Sequence, residues 1–296
     1  MTDTDSRPAP ENRPLVLVVG GSSKVALALT LRLERDYDVL TAGRQSCDVE
    51  IDLLAEPNEI RIPDGIAVVV NCAAAFPQGD QSEESESVEV NVRGPQKLYA
   101  ACKAAGSAQL IQLSSIFAGL PSQDPSFTTY AMQKRRADEA LTAVAAESSG
   151  PVCTILRPTQ IYGPGEFHRT HQPFLYSIVG DAAAGNEIVL AGNHDALRDY
   201  LHIDDFAEIV ARVIELRLPG TFDCPGPEPL RYSQIAETAA AAFGGRSKVV
   251  FDHDGPDTLD NVGTVDRSFY PLIGFEPKIS FADGMAIEAR LRAEGA

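Results

Sequence analysis

The segment Tyr130-Ala131-Met132-Gln133-Lys134 sets a phenol and an ammonium four residues apart, in a stretch whose pattern predicts a helix. Residues at i and i+4 project from one helix face, a turn apart. A phenol with a pKa of about 10 moves protons poorly at neutral pH, and a neighbouring cation favours the phenolate and draws that value down. Such a pair suits general acid and base work at an alcohol or carbonyl. An ordinary pair on a helix surface has the same spacing, so the elements around it must decide.

Those elements begin at Leu15-Val16-Leu17-Val18-Val19, an apolar run expected of a strand buried on both faces of a parallel sheet. Gly20-Gly21-Ser22-Ser23-Lys24-Val25-Ala26 follows, then an amphipathic pattern through Val25, Leu29 and Leu33, and a second strand from Tyr37 to Thr41. This is a βαβ unit, whose first turn can hold a pyrophosphate at the helix N-terminus. Ser23 stands where a second glycine is usual, so a plain tight turn is the other way to read this loop. The second strand runs into Ala42-Gly43-Arg44, with no acid to accept from ribose hydroxyls and one Arg to pair with a 2′-phosphate. That favours NADP(H), with NAD(H) the alternative, and Ser22, Ser23 and Lys24 can add phosphate contacts.

Farther on, Asp52 in Ile51-Asp52-Leu53 either meets an adenine amino group or caps a helix. Ile66 to Asn71 reads as a strand opening into Cys72-Ala73-Ala74-Ala75, small residues that let a ligand approach the backbone. Gln78 to Glu89 reads as an exposed loop, and Asn91 to Gly94 opens a helix running from Pro95 to Ala105. Leu110 to Leu113 is a buried strand that delivers Ser114 and Ser115 at its C-terminal edge, where open α/β sheets bind ligands.

Composition bounds the rest. With 296 residues, 44% of them hydrophobic, the chain can bury one substantial core and carry a second lobe. No apolar run of about 18 residues is present. The polar, Pro-containing segment Met1 to Pro14 is unlike a signal peptide, so residues 1–11 are expected to be a disordered leader of a cytoplasmic protein. Five cysteines, at Cys47, Cys72, Cys102, Cys153 and Cys224, show no close spacing, against a disulfide framework or a thiolate zinc site. A net charge of −17 disfavours nucleic acid and anionic membrane as partners. His168 and His171 lack an accompanying carboxylate or Cys ligand set, and no metal is assigned.

A Gly-rich first turn, an Ala-rich strand end, strand-terminal Ser-Ser and a Tyr-x-x-x-Lys helix, in this order, resemble the short-chain dehydrogenase/reductase superfamily. Leu156-Arg157-Pro158-Thr159-Gln160-Ile161-Tyr162-Gly163-Pro164-Gly165 is similar to the Arg-Pro-x-Asn-x-Tyr-Gly-Pro-Gly segment of its extended branch, the nucleotide-sugar epimerases, dehydratases and reductases. Leu197-Arg198-Asp199-Tyr200-Leu201-His202-Ile203-Asp204-Asp205 resembles that branch's Arg-Asp-x-x-His-Val-x-Asp segment, and Gly274-Phe275-Glu276-Pro277 its Leu-Gly-Trp-x-Pro element.

The resemblance implies a Rossmann-type doubly wound, mainly parallel sheet of about seven strands from Leu15 to about Gly165, with a smaller C-terminal α/β substrate lobe. Residues 12–165 with about 199–223 would form the dinucleotide-binding part, and about 166–198 with 224–296 the substrate lobe. It implies Tyr130 as the proton-transfer group, with Lys134 on the nicotinamide ribose and lowering the Tyr130 pKa. Ser115 would hold the substrate oxygen, Ser114 being the alternative. Cofactor contacts would come from Gly20, Ser22, Ser23, Lys24, Val25, Arg44, Asp52, Leu53, Cys72, Ala73, Ala74, Asn91, Leu113, Tyr130, Lys134, Pro158 and Thr159. Substrate contacts would come from Ser114, Ser115, Gln160 and Arg198; a structural ion pair with neighbouring acids is the other role open to Arg198. His202 is expected at the seam between lobes and Asp205 as the cap of a helix from Phe206 to Leu216. A homodimer through the Tyr130 helix and its predecessor, which carry Ala-rich surfaces at 100–105 and 137–146, is also implied.

Ile116 and Phe117 fill the positions where a 4,6-dehydratase carries an acidic pair, which disfavours dehydration. The missing acid and Arg44 tilt the expectation toward reduction of a 4-keto sugar nucleotide, with an NAD-dependent 4-epimerase as the alternative. A non-catalytic dinucleotide-binding protein, which would be expected to lose Tyr130 or Lys134, is a distant third. The sugar preference is expected to reside in Gln160 and in a loop from Glu166 to Asn193, with His168, His171 and His194 beside the sugar.

Overall fold

The computed structural model describes residues 13–76, 86–147, 149–164, 172–263 and 266–295. The leader, most of Gln78 to Glu89, and His168 and His171 lie outside the described residues.

β1 (Leu15–Val19), α1 (Lys24–Leu33), β2 (Asp38–Gly43), β3 (Val49–Glu50) and β4 (Ile66–Asn71) come first. A short turn α2 (Glu86–Val88) winds through a π-helical stretch, Glu89–Arg93, into α3 (Gly94–Ala105). β5 (Gln109–Leu113), a 3₁₀ turn at Ile116–Gly119, α4 (Thr129–Ala146) and β6 (Val152–Pro158) follow. Then come β7 (Gln160–Tyr162), α5 (Pro173–Ala184), β8 (Ile188–Ala191), β9 (Leu197–His202) and α6 (Ile203–Leu216). β10 (Gly220–Cys224), β11 (Pro229–Arg231), α7 (Tyr232–Ala242), β12 (Val249–Asp252), α8 (Phe269–Ile273) and α9 (Phe281–Ala293) complete the chain.

Seven strands form one parallel sheet in the order β10-β6-β5-β4-β1-β2-β3. Alternate residues of β1 serve opposite faces. Val16 and Val18 pack with Leu29 of α1 and Phe206 and Val210 of α6, while Leu17 and Val19 pack with Leu98 of α3 and Leu141 of α4. A helical layer on both faces is why β1 tolerates no polar position. The direction of winding reverses between β1 and β4, and the crevice beyond the carboxyl ends of these strands is where such sheets take ligands. The sheet is the Rossmann-type doubly wound arrangement.

A third core gathers Tyr162, Leu175, Ile178, Leu190, Tyr200, Ile235 and Met285, under a three-stranded sheet β11-β9-β7 and a two-stranded sheet β12-β8. Among the described residues, no helix is long and apolar enough to cross a membrane.

Four expectations are corrected. The seventh strand of the main sheet is β10, paired to β6 from Gly220 to Cys224, and β7 leaves that sheet to pair with β9. The segment expected as a loop from Glu166 to Asn193 contains α5 and β8, because Leu175, Ile178 and Leu190 supply a third core. His202, not Asp205, caps α6: its Nδ1 accepts from Asp204 N–H at 3.2 Å. Asp205 instead accepts from the N–H groups of Lys278 and Ile279 at 2.9 and 2.7 Å, and fastens the segment before α9 to α6. Asp52 caps a turn and no helix, accepting from Leu54 N–H at 3.0 Å.

Candidate active site

The carboxyl ends of β1, β4, β5 and β6 bring the expected residues together. At β1, Gly20 adopts φ +82° and both Gly20 and Gly21 donate their N–H to Ala42 O, at 2.8 and 3.0 Å. A Cβ on Gly20 would lie 2.7 Å from Ala73 N, so only glycine lets this turn close onto the β4 end. Ser23 caps α1 by accepting from Ala26 N–H at 3.1 Å, which leaves its own O–H to donate, and Ser22 and Lys24 are exposed beside it. Val25 is half-buried against the core.

Arg44 is exposed just beyond β2. Sequence reasoning passed over Asp48, which the loop after β2 folds back onto the strand: its Oδ2 accepts from Thr41 N–H and Oγ1–H at 2.8 and 2.7 Å. Those two donors hold its carboxyl below the usual carboxylate range. Ser46 takes a left-handed φ of 54° to make the reversal, and its neighbour Cys47 packs on Gly21 and Gly43. A strand-end acid is thus present in space while absent from the strand-end sequence. Asp52 is half-buried, whereas the Leu53 side chain is buried against Gly94 and its carbonyl accepts from Lys97 Nζ at 3.0 Å. Leu53 therefore belongs to the core.

Beyond β4, the backbone of Cys72 to Ala75 is held by two buried amides. Asn71 Oδ1 accepts from Ala73 N–H, and Asn91 both accepts from Ala75 N–H at 2.9 Å and donates to Ala75 O at 2.6 Å. Asn91 also donates to Gln133 of α4, at 2.7 Å. Its side chain positions the β4 end and ties it to the Tyr130 helix. The Phe76 ring, half exposed, stacks on Tyr130 with centroids 5.1 Å apart and planes 22° from parallel.

α4 starts at Thr128, whose Oγ1 accepts from Ala131 N–H, and this places Tyr130 in its first turn. Lys134, one turn later, is buried, and its Nζ donates to Leu113 O at the end of β5, at 3.0 Å. The ammonium is 5.6 Å from the Tyr130 ring centroid. Burial lowers the Lys134 pKa to about 8, opposed by the charge of Asp138 and by Cys72. The phenol departs from expectation. Burial, then the carboxylate of Asp138, push the Tyr130 pKa above its ordinary value, so the Tyr130 side chain is a neutral O–H at physiological pH.

Ser114 and Ser115 separate cleanly. Ser114 Oγ donates to Asp138 Oδ2 at 2.9 Å in a buried contact that Arg157 Nε shares from β6, at 2.8 Å. Ser115 accepts from Phe117 N–H at 3.3 Å as the cap of the 3₁₀ turn, which leaves its O–H to donate. Asp138 was missed in the sequence, although the Tyr130 and Lys134 face extended by one more turn reaches it.

At the β6 end, Pro158 and Thr159 are buried. Thr159 N–H donates to Cys224 O at 3.2 Å, and its Oγ1 is buried with no partner among the described residues. Gln160 donates to Gln172 Oε1 at 3.1 Å, with its own Oε1 likewise unpartnered. Among the described residues Arg198, on β9, makes no ion pair: its Nη1 donates to Leu197 O and Leu259 O, at 2.8 and 2.6 Å, and its guanidinium lies 4.4 Å from the Tyr232 ring centroid. His194 is exposed and pairs with Asp260 at 2.8 Å.

The residues at these strand ends fit a dinucleotide. The glycine turn closes against Ala73 with no room for a Cβ, and Thr159 offers an orphaned hydroxyl. Bound, a nicotinamide cofactor would supply or accept the hydride at this edge.

The model of the NAD dependent epimerase/dehydratase family matches residues 16–222. The chain is 33% identical over 168 residues to a dTDP-4-dehydrorhamnose reductase of Streptomyces griseus, covering 53% of this chain and 53% of that protein. It is 31% identical over 173 residues to a UDP-glucose 4-epimerase of Vibrio cholerae, covering 51% and 52%. The chain thus spans about half the length of the curated relatives it matches. Among solved structures, a UDP-N-acetylglucosamine 4-epimerase from Methanobrevibacter ruminantium M1, in complex with UDP-N-acetylmuramic acid, superposes with a TM-score of 0.76. It is 18% identical, over 96% of this chain and 100% of that one.

Proposed function

Since the chain belongs to the NAD dependent epimerase/dehydratase family, we propose that it is a nucleotide-sugar oxidoreductase that reduces a 4-keto sugar nucleotide with NADPH. The observation that supports this direction is Arg44, exposed just beyond β2 where a 2′-phosphate would be met. Tyr130, which burial and then Asp138 hold above its ordinary pKa, keeps the proton that a carbonyl oxygen takes up on reduction.

In this reading Ser115 O–H and Tyr130 O–H converge on the substrate carbonyl oxygen, Ser115 orienting it and Tyr130 giving it a proton as the bond order falls. Lys134 keeps a positive charge beside the developing alkoxide and holds the nicotinamide ribose, while Leu113 O fixes its direction. Gly20, Ser22, Ser23 and Lys24 receive the pyrophosphate at the start of α1. Arg44 faces the 2′-phosphate, and Arg198, braced on Tyr232, meets the substrate diphosphate. The substrate lies between the seven-stranded sheet and the lobe built on β7, β9 and β11, and the protein works in the cytoplasm as a homodimer through α3 and α4.

One observation favours the second reading, an NAD-dependent 4-epimerase. Asp48 places a carboxylate at the end of β2, and a carboxylate accepts from ribose hydroxyls and repels a 2′-phosphate. Cofactor content separates the two. Nucleotide released from freshly purified protein, followed by NADPH and NADH titrations read by fluorescence, supports the reductase if the site binds NADPH better and is replenished on each turnover. Tightly retained NAD overturns it in favour of the epimerase.

A further inference from the structure

Asp138 is a buried acid whose part in the reaction neither the Tyr-x-x-x-Lys spacing nor the Ser-Ser strand end announces. It follows Lys134 by one helical turn and Tyr130 by two, on the face of α4 turned to the β5 and β6 ends. Only 2% of it is exposed. Its Oδ2 takes two donors, Ser114 Oγ from β5 at 2.9 Å and Arg157 Nε from β6 at 2.8 Å, and its Oδ1 is buried with no partner among the described residues. Burial raises the Asp138 pKa, and Arg157, Ser114 and Lys134 oppose that rise by favouring the carboxylate, whose charge in so dry a place acts strongly on charges a turn away.

We propose that Asp138 is a positioning residue that holds Lys134 in its cationic form and pins the β5 end beside it. The proposal rests on Lys134 belonging to the active site, as argued above, and deepens that assignment.

Among the described residues, the groups facing the pair are few. Lys134 meets Tyr130 and Asp138 from its own helix, Cys72 from the β4 end and the Leu113 carbonyl from β5. Asp138 meets Ser114 from β5, Arg157 and Cys153 from β6, and the carboxylate of Asp223 from β10. Burial drives Lys134 toward the neutral amine, and among these groups Asp138 is the strongest opposing influence. Without its charge, Lys134 would lose its proton at lower pH and carry less of the charge that its place beside Tyr130 requires. Ser114, released from Asp138, would no longer anchor the strand end that aims Ser115.

The test is a titration of Lys134 in the cofactor-free full chain by carbon NMR of labelled lysines, with the Lys134 resonance identified by its loss in Lys134→Arg. The midpoint is expected at about 8 in the unaltered protein. It is expected about one pH unit or more lower in Asp138→Asn, with recovery in Asp138→Glu. An unmoved midpoint in a folded Asp138→Asn protein overturns the proposal. If that variant does not fold, the unaltered protein still decides. The carboxyl carbon of Asp138, assigned through Asp138→Glu, should step at the Lys134 midpoint, and no step there overturns the proposal. Rate profiles then separate it from the functional assignment beneath it. An alkaline limb of kcat/KM that moves to lower pH with Asp138→Asn supports both, whereas a moved NMR midpoint with a fixed limb supports the pairing and removes Lys134 from the chemistry.

Discussion

Ser114 and Asp138 are joined side chain to side chain at 2.9 Å, inside the protein and across from Arg157. That bond occupies the first hydroxyl of the Ser-Ser pair and leaves the second, Ser115, with a proton to give. Ser115→Ala is therefore expected to lower kcat/KM by about 10²–10³-fold, the usual worth of a positioned donor to a developing oxyanion. Ser114→Ala is expected to cost less in rate and about 1–3 kcal/mol in stability, because it strips a donor from a buried carboxylate. Kinetics and denaturant melts of the two variants check this, and a larger rate loss in Ser114→Ala would reverse the assignment.

Lys134 should place a pH boundary on function. With its pKa at about 8 in the free protein, kcat/KM, which reports free-enzyme ionisations, is expected to fall as pH rises through that value.

The same residue should weaken the fold. Its folded pKa lies below the ordinary 10.5, so between pH 8 and 10.5 the unfolded chain binds more protons. Stability then rises with pH across that window, and the burial penalty is fully present below it. Lys134→Met is expected to abolish turnover while raising stability at pH 7 by about 1–2 kcal/mol, net of the lost bond to Leu113 O. A thermal melt at pH 7 showing Lys134→Met less stable than the unaltered protein would contradict this.

Cofactor choice should turn on two residues at one strand end. Arg44→Ala is expected to weaken NADPH about tenfold and to leave NADH nearly unchanged. Asp48→Asn is expected to shift the balance toward NADPH by removing a fixed negative charge held on Thr41. Fluorescence titrations with both nucleotides measure this. Equal losses for NADH and NADPH in Arg44→Ala would leave Arg44 as an ordinary surface residue.

Phe76→Ala removes the platform under the Tyr130 ring. An aromatic pair is worth about 0.5–1.5 kcal/mol, so kcat is expected to drop about 2–10-fold. Phe76→Leu should recover part of the loss; a drop confined to KM would say that Phe76 serves substrate binding alone.

How much of this could be read from residues alone depended on how local each cause was. Leu15 to Val19 and Ile66 to Asn71 announce buried strands because a residue covered on both faces has no polar alternation, and the structure has β1 and β4 at those bounds. Tyr130 and Lys134 were legible because helical spacing alone brings them to one face. What escaped depended on distant partners. The Lys134 ammonium turns to Leu113 O, and burial, then Asp138, govern the phenol, so the sign of the Tyr130 shift was opposite to that inferred from the pair. Asp48 was invisible because a five-residue reversal at Arg44 to Asp48 returns it to Thr41. Asp205 has the sequence look of a cap, and only the arrival of Lys278 and Ile279 some seventy residues later gives its carboxylate another use.

The seventh strand bears on how the molecule comes into being. β6 acquires its outer neighbour only when Gly220 to Cys224 pair with Thr154 to Pro158. Until that stretch has been made, a nascent chain carries the residues of the glycine turn, the Tyr130 helix and six strands, and a sheet of those six would leave β6 bare along one edge. An unpaired edge is a template for another chain. A protein cut between β7 and β10 would therefore carry nearly all of the chemistry described above and still be prone to stick to its own copies. The last strand of this sheet guards assembly as much as it shapes the fold.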